Sequence, residues 1–434
     1  MRLTIHGLLL LVAGLVSDTT ATTTTRLTRR ASANETKDGL HSLMVATGKV
    51  YFGTATDTNN FDDEAYQTIA TNRKEFGMFT PENSQKWMST EPFQGNFSFA
   101  QADRVAQRAR SNRQLLRCHT LTWHSQLPPF VQNTTWNPAA LTALLTAHLT
   151  TVMRHYAGRC YAWDVVNEAL AENGTMRSDP PSVFLSVLGP SYIPLSFTIA
   201  AAADPSAKLY YNDFNLETIP AKADGAVGIV KQIRAAGARI DGVGFQAHMN
   251  VGQTPKREEL AGTLRRFAAL GVDVAITELD IAHGKVPVAP GGVEEVQQAR
   301  DYAAVVGACL DVEACVGITV WQFTDRYSWV PSTFPGKGQA CMFAEDYRPK
   351  LAYDAVVGLL KETAGLAPAG SAESVFGSDG GKATTPSPVN ASSTTGSGGQ
   401  RPTNTQLGFN GAPKLGAGMM VLVIPLIVAL ASCG

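Results

Sequence analysis

The chain has 434 residues, 44% of them hydrophobic, and a formal net charge of -1. That length exceeds one small domain and suits a single large α/β unit with extensions at both ends. A near-neutral balance gives no electrostatic reason to expect nucleic acid or a strongly charged polymer as partner.

At the start, Arg2 precedes an apolar run over 7–16, and small and polar residues follow over 17–21. A charged lead, a short apolar core and a small-residue exit predict a secretory leader over 1–21; roughly ten apolar residues are too few to cross a bilayer. Residues 22–39 read as a pro-segment or linker. Within it, Arg29-Arg30 is either a processing site or a solvated dibasic pair. Sequons begin at Asn34, Asn96, Asn133, Asn173 and Asn390, candidate glycan sites on exposed turns of a secreted chain.

From residue 40 to 365, short apolar or β-branched runs alternate with longer amphipathic stretches. Eight runs predict strands, over 51–56, 78–80, 115–123, 160–166, 208–211, 242–248, 272–279 and 316–323. Several are continuously apolar, as strands covered on both faces should be. Between them, 138–155 repeats leucine at 141, 144, 145 and 149 behind an Asn137 cap and Pro138. Stretches 225–236 and 256–270 also read as helices, the second stopping at Gly271. Strand then helix, eight times over, predicts a (β/α)8 barrel. An open doubly wound sheet is the rival, disfavoured because no glycine-rich phosphate loop follows the first strand.

Nearly every predicted strand ends in residues with no packing use: Glu82-Asn83, His124, Asn167-Glu168, Asn212-Asp213, Gln246 with His248, Glu278, and Trp321. A barrel points all those ends at one face, so residues far apart in sequence converge on one cleft. Glu168 and Glu278 stand out because apolar strands deliver them. A carboxylate losing its water there needs a partner or a task. Paired carboxylates suit glycosidic cleavage, one protonating the leaving oxygen and one attacking or activating water. Taken singly, each could instead close a salt bridge beneath the rim.

Six cysteines fit secretion, and no CxxC or Cys/His cluster suggests a metal or other cofactor. Cys433 would leave with the C-terminal tail, so five remain and at least one lacks an intramolecular partner. Cys309 and Cys315 close a short loop and are the expected pair. Cys118 and Cys160 either bridge or stay as buried thiols; Cys341 is unassigned.

Residues 366–410 form a Ser/Thr/Gly/Pro-rich linker, followed by a tail over 411–434 with an apolar run over 415–431. Small residues at Asn410-Gly411-Ala412, a short spacer and that run resemble a signal for replacement by a glycolipid (GPI) anchor. Ser397-Gly398-Gly399 is the alternative attachment point, and a true transmembrane anchor the alternative reading.

The segments Trp123-His124-Ser125-Gln126-Leu127-Pro128, Trp163–Glu168, Gly244–His248 and Ile276–Asp280 resemble the signatures of glycoside hydrolase family 10, the endo-β-1,4-xylanases. So do Glu82-Asn83 with Lys86-Trp87, and Gln94–Phe97. The resemblance implies a retaining reaction on xylan and xylo-oligosaccharides, with Glu278 as nucleophile and Glu168 as general acid and base, about 5–5.5 Å apart. It implies that Glu168 starts protonated, that Asn167 meets the 2-hydroxyl, and that His248 orients Glu278 with Gln246 close by. Glu82, Asn83, Lys86, His119 and Gln126 would bind hydroxyls. Trp87, Trp123, Trp321 and Trp329 would pack on sugar faces beside Tyr211, while Trp163 fills the core. Gln85, Met88, Cys118 and Gln322 depart from the family pattern. A monomer is expected, touching membrane only through its lipid anchor. The rival functions are a related barrel enzyme remodelling β-glucan and an inactive wall-binding protein.

Overall fold

The computed structural model describes residues 39–367. Outside that range lie the expected leader, all of segment 22–39 but its last residue, Arg29-Arg30, Asn34, Asn390, Cys433, the tail, and all but two residues of the linker.

Nine parallel strands form among the described residues: β1 (Tyr51–Thr56), β2 (Met78–Pro81), β3 (Leu115–Trp123), β4 (Ala162–Asn167), β5 (Lys208–Asp213), β6 (Gly242–Phe245), β7 (His248–Asn250), β8 (Asp273–Ala282) and β9 (Cys315–Val320). β1 to β6 pair in order, β6 pairs with β8, β8 with β9, and β9 returns to β1. Eight strands therefore close a barrel. The expected strand over 242–248 is split, because Ala247 adopts a φ of 61° that extended backbone cannot hold. Its second piece, β7, runs beside the end of β8.

One main helix follows each barrel strand: α1 (Glu64–Ala70), α2 (Ala100–Ser111), α3 (Pro138–His155), α4 (Tyr192–Ala203), α5 (Pro220–Ala235), α6 (Arg257–Ala268), α7 (Val293–Leu310) and α8 (Leu351–Thr363). In α3 the Asn137 side chain accepts from the Ala140 N–H, and Leu141, Leu144, Leu145 and Leu149 are all buried. Each such leucine contributes roughly 1.5–3 kcal/mol of burial. Helix α5 starts five residues before its expected limit, with Pro220 in its first turn, where a missing N–H costs nothing.

The strands face two ways. Val274, Ile276, Leu279 and Ile281 of β8 pack outward into the core shared with the helices. Ala275 packs inside the barrel with Ala162 and Tyr210. Strict alternation fails at two places that matter. Val165 and Val166 both join the outer core, and the β4–β5 register shifts between Asp164 and Val166. That bulge turns Asn167 inward, opposite Asn212. The β8–β9 register likewise shifts between Ile276 and Leu279, and both Thr277 and Glu278 reach Asn212.

The Cys309–Cys315 bridge forms as expected, with a Cα separation of 5.3 Å. Cys118 and Cys160, left open above, are also bridged, at 5.7 Å, tying β3 to the lead-in of β4. Cys341 is buried and not disulfide-bonded. Asn96, Asn133 and Asn173 are all exposed.

Candidate active site

A cleft enclosing about 810 Å³, open solvent included, lies at the C-terminal ends of the strands. Glu168 and Glu278 line it, as do the expected Glu82, Asn83, Lys86, His119, Trp123, Gln126, Asn167, Gln246, His248, Trp321 and Trp329. Two aromatic expectations are corrected. Tyr211 is fully buried on the helix-facing side of β5, its hydroxyl donating to Asp213. Its neighbour Asn212 takes the inward direction, because successive side chains on a strand alternate. Trp87 is likewise a core residue, stacked on His148 at 3.7 Å with its indole N–H donating to Glu91.

Glu168 follows β4 with a φ of 53°. A non-glycine residue in the left-handed region is sterically costly and needs firm surroundings. Arg177 supplies part of that support, its Nε donating to the Glu168 carbonyl at 3.0 Å. The carboxylate accepts from Trp123 Nε1 at 2.9 Å and from Gln246 Nε2 at 3.1 Å. Burial pushes its proton affinity up, but His124, Arg177 and the two donors outweigh burial and hold the carboxyl below the ordinary range. Burial itself pushes His124 down to about 4. His124 is therefore uncharged near neutrality and adds its pull only in the acid range where Glu168 itself titrates. In the empty cleft these groups favour ionised Glu168, whereas the resemblance implies that it starts the reaction protonated.

Glu278 is gripped on both oxygens. Oε1 accepts from Asn212 Nδ2 at 2.8 Å, and Oε2 lies 3.2 Å from His248 Nε2. The other imidazole nitrogen, Nδ1, lies 3.0 Å from Asp280 Oδ1, while Trp329 Nε1 donates to Asp280 Oδ2 at 2.7 Å. Burial opposes charging His248, but Asp280 and Glu278 outweigh it and raise its pKa to about 10. The ring is thus a cation with two donors.

A row of amides joins the two carboxylates. Asn167 Oδ1 accepts from Asn212 Nδ2 at 2.9 Å and from Gln246 Nε2 at 3.3 Å. Asn212 Oδ1 in turn accepts from Thr277 Oγ1 at 2.7 Å. With its oxygen doubly engaged, Asn167 has its NH2 left for a ligand. Gln246 touches Glu168 rather than the Glu278 side chain, a partner that spacing alone did not reveal.

At the other end, Lys86 Nζ donates to Asn83 Oδ1 at 3.0 Å and sits 4.9 Å above the Trp123 ring. Gln126 donates to the same Asn83 oxygen at 3.3 Å. His119 Nδ1 lies 3.0 Å from Asp164, which Arg117 pairs at 2.5 Å. Two residues of consequence escaped the sequence reading of the site, Asp280 and Phe214, while Asn212 and His124 were placed at the rim without a partner. Nothing local marks Phe214.

The sequence pattern of Glycosyl hydrolase family 10 matches residues 39–359. The chain is 55% identical over 332 residues to endo-1,4-beta-xylanase 5 of Pyricularia oryzae, covering 76% of this chain and 81% of that protein. It is 52% identical over 322 residues to endo-1,4-beta-xylanase 1 of Humicola insolens, covering 74% of each. Among solved structures, an endo-1,4-beta-xylanase of Penicillium canescens superposes with a TM-score of 0.72 at 38% identity, over 75% of this chain and 98% of that one. Xylanase 10B of Thermotoga petrophila, solved with xylobiose, gives 0.72 at 35% identity, over 76% and 99%.

Proposed function

Because the chain belongs to glycosyl hydrolase family 10, we propose that it is an endo-β-1,4-xylanase that cleaves xylan and xylo-oligosaccharides with retention of configuration. The observation that carries this reading is the pair Glu168 and Glu278, facing one cleft and joined through Gln246, Asn167 and Asn212.

Glu278 is the nucleophile. Its oxygen attacks the anomeric carbon while Glu168 gives its proton to the departing glycosidic oxygen; Glu168 then takes a proton from water, whose oxygen releases the sugar from Glu278. His248, charged and backed by Asp280, keeps Glu278 aimed. The empty cleft favours ionised Glu168, so a bound sugar must supply the missing bias. By excluding water and crowding Glu278 it raises the proton affinity of Glu168. The Asn167 NH2 is the donor for a hydroxyl beside the cleaved bond. Glu82, Asn83, Lys86, His119 and Gln126 bind hydroxyls further along, and Trp123, Trp321 and Trp329 pack on the rings.

The catalytic domain spans 40–365. The leader over 1–21 makes the enzyme secreted, and the linker and tail at the other end hold it at the cell surface through a glycolipid. It works as a monomer, with glycans on the exposed sequons.

The test is hydrolysis of plain β-1,4-xylan, cellulose and β-1,3-glucan, following reducing ends and the anomer first released. Xylan cleavage giving β-anomers is expected. Cleavage of β-1,3-glucan alone would instead favour wall remodelling, and binding without cleavage an inactive lectin-like role.

A further inference from the structure

We infer that Gln322 is a positioning residue for Glu82, engaging one oxygen of that carboxyl and leaving the other for a sugar hydroxyl in the cleft. This deepens the xylanase reading and rests on it.

Gln322 follows β9, and Glu82 follows β2; both strands flank β1. Glu82 lines the cleft, whereas Gln322 stands behind it with 1% of its surface exposed. Gln322 adopts a φ of 71°, a conformation that glycine holds without strain and glutamine does not. Its side chain accounts for the choice. Gln322 Nε2 donates to Glu82 Oε1, and Gln322 Oε1 lies 2.9 Å from the Tyr66 hydroxyl. That hydroxyl is also 2.9 Å from Thr56 Oγ1. The groups form one chain towards the cleft: the Tyr66 hydroxyl donates to the Gln322 carbonyl, and the Gln322 amide donates to Glu82. Burial keeps the Tyr66 phenol protonated far above neutrality. The amide can then present only its NH2 to the carboxyl.

With Oε1 occupied, Oε2 is the oxygen turned to the ligand. The charged groups acting on Glu82 are Asp57, Lys86 and Glu278. Burial, then Asp57, pushes the carboxyl up to about 8, with Gln322 and Lys86 pulling the other way. Below that pH the carboxyl carries a proton, and a donor on Oε1 leaves Oε2 as its seat. In its protonated form Glu82 donates to a hydroxyl through Oε2, and in its ionised form it accepts from one.

The experiment compares the full-length enzyme with Gln322→Met, which keeps length but not the amide, with Gln322→Gly, which relieves the backbone, and with Glu82→Gln. KM and kcat are measured on linear β-1,4-xylo-oligosaccharides across the neutral to alkaline range, with thermal midpoints for each protein. Both Gln322 variants should raise KM about three- to tenfold, the effect of one lost hydrogen bond, with a smaller change in kcat. In the wild type KM should climb as pH passes about 8. That climb should move to higher pH in the Gln322 variants, which lose a donor that favours the anion, and vanish in Glu82→Gln. Wild-type KM and an unmoved pH profile in both Gln322 variants would overturn the inference, as would losses that follow only the thermal midpoint. A wild type that leaves xylan and its oligomers intact takes down the xylanase reading and this inference together; a wild type that cleaves them beside indifferent variants removes this inference alone.

Discussion

His248 and Glu278 meet through Nε2 and Oε2 at 3.2 Å, and the same imidazole holds Asp280 through Nδ1 at 3.0 Å. The ring sits between two carboxylates and takes a charge that it would not carry in water at neutral pH. Its cost of burial is offset only because both nitrogens are paired.

Replacing His248 by glutamine should keep one donor and lose the charge. We expect kcat to fall by roughly ten- to a hundredfold, the usual cost of removing a group that orients a reacting carboxylate. KM should move little. Steady-state kinetics on an aryl xylobioside decides; a variant as fast as wild type denies His248 its role.

Glu278→Ala should abolish turnover on xylan while leaving the polymer bound in pull-down. Glu168→Ala should lose most activity on xylan but keep much more on substrates with a good leaving group, which need little protonation. Added azide should restore the first variant with an inverted product and the second with a retained one, because each alanine opens a different face of the sugar. Identical products from both would undo the assignment.

The pH profiles should split. Activity needs Glu168 protonated, so the alkaline limb tracks its proton affinity: in kcat/KM for the empty enzyme and in kcat for the complex. The empty cleft holds Glu168 below the ordinary range, and a sugar that excludes water raises it. The limb of kcat should therefore lie at higher pH than that of kcat/KM. Coincident limbs would mean that binding does nothing to this proton.

Lys222 is fully buried, with Nζ 3.1 Å from both Asp213 and Glu172. Asp213 is fully buried too, and also accepts from Tyr211. Lys222→Ala strands a carboxylate in the core and should cost about 3–5 kcal/mol. Adding Asp213→Asn should recover part of that loss, since the stranded charge is gone. Urea midpoints for the single and double variants measure the difference; additive losses would contradict the pairing.

Much of the cleft was legible because glutamates, asparagines and histidines at the ends of apolar strands have nowhere else to go. Glu168, Glu278, Asn167 and His248 all belong to that class. Tyr211 was misread because an aromatic next to a polar strand end looks like a ligand platform, while alternation sends the two in opposite directions. Trp87 failed for a related reason: a short helical turn after β2 rotates its indole into the core against His148.

Local sequence determined which stretches extend, which coil, and which polar groups would crowd one rim, since periodicity and burial cost act over a few neighbours. Tertiary structure decided the rest. Bulges at Val165-Val166 and between Ile276 and Leu279 reverse the side-chain direction, and the break at Ala247 separates Gln246 from His248. These shifts depend on how neighbouring strands register when the barrel closes, a long-range fit that no short segment encodes. The same closure sets Gln322 behind Glu82, 240 residues away, and gives each carboxylate of the pair its own electrostatic surroundings.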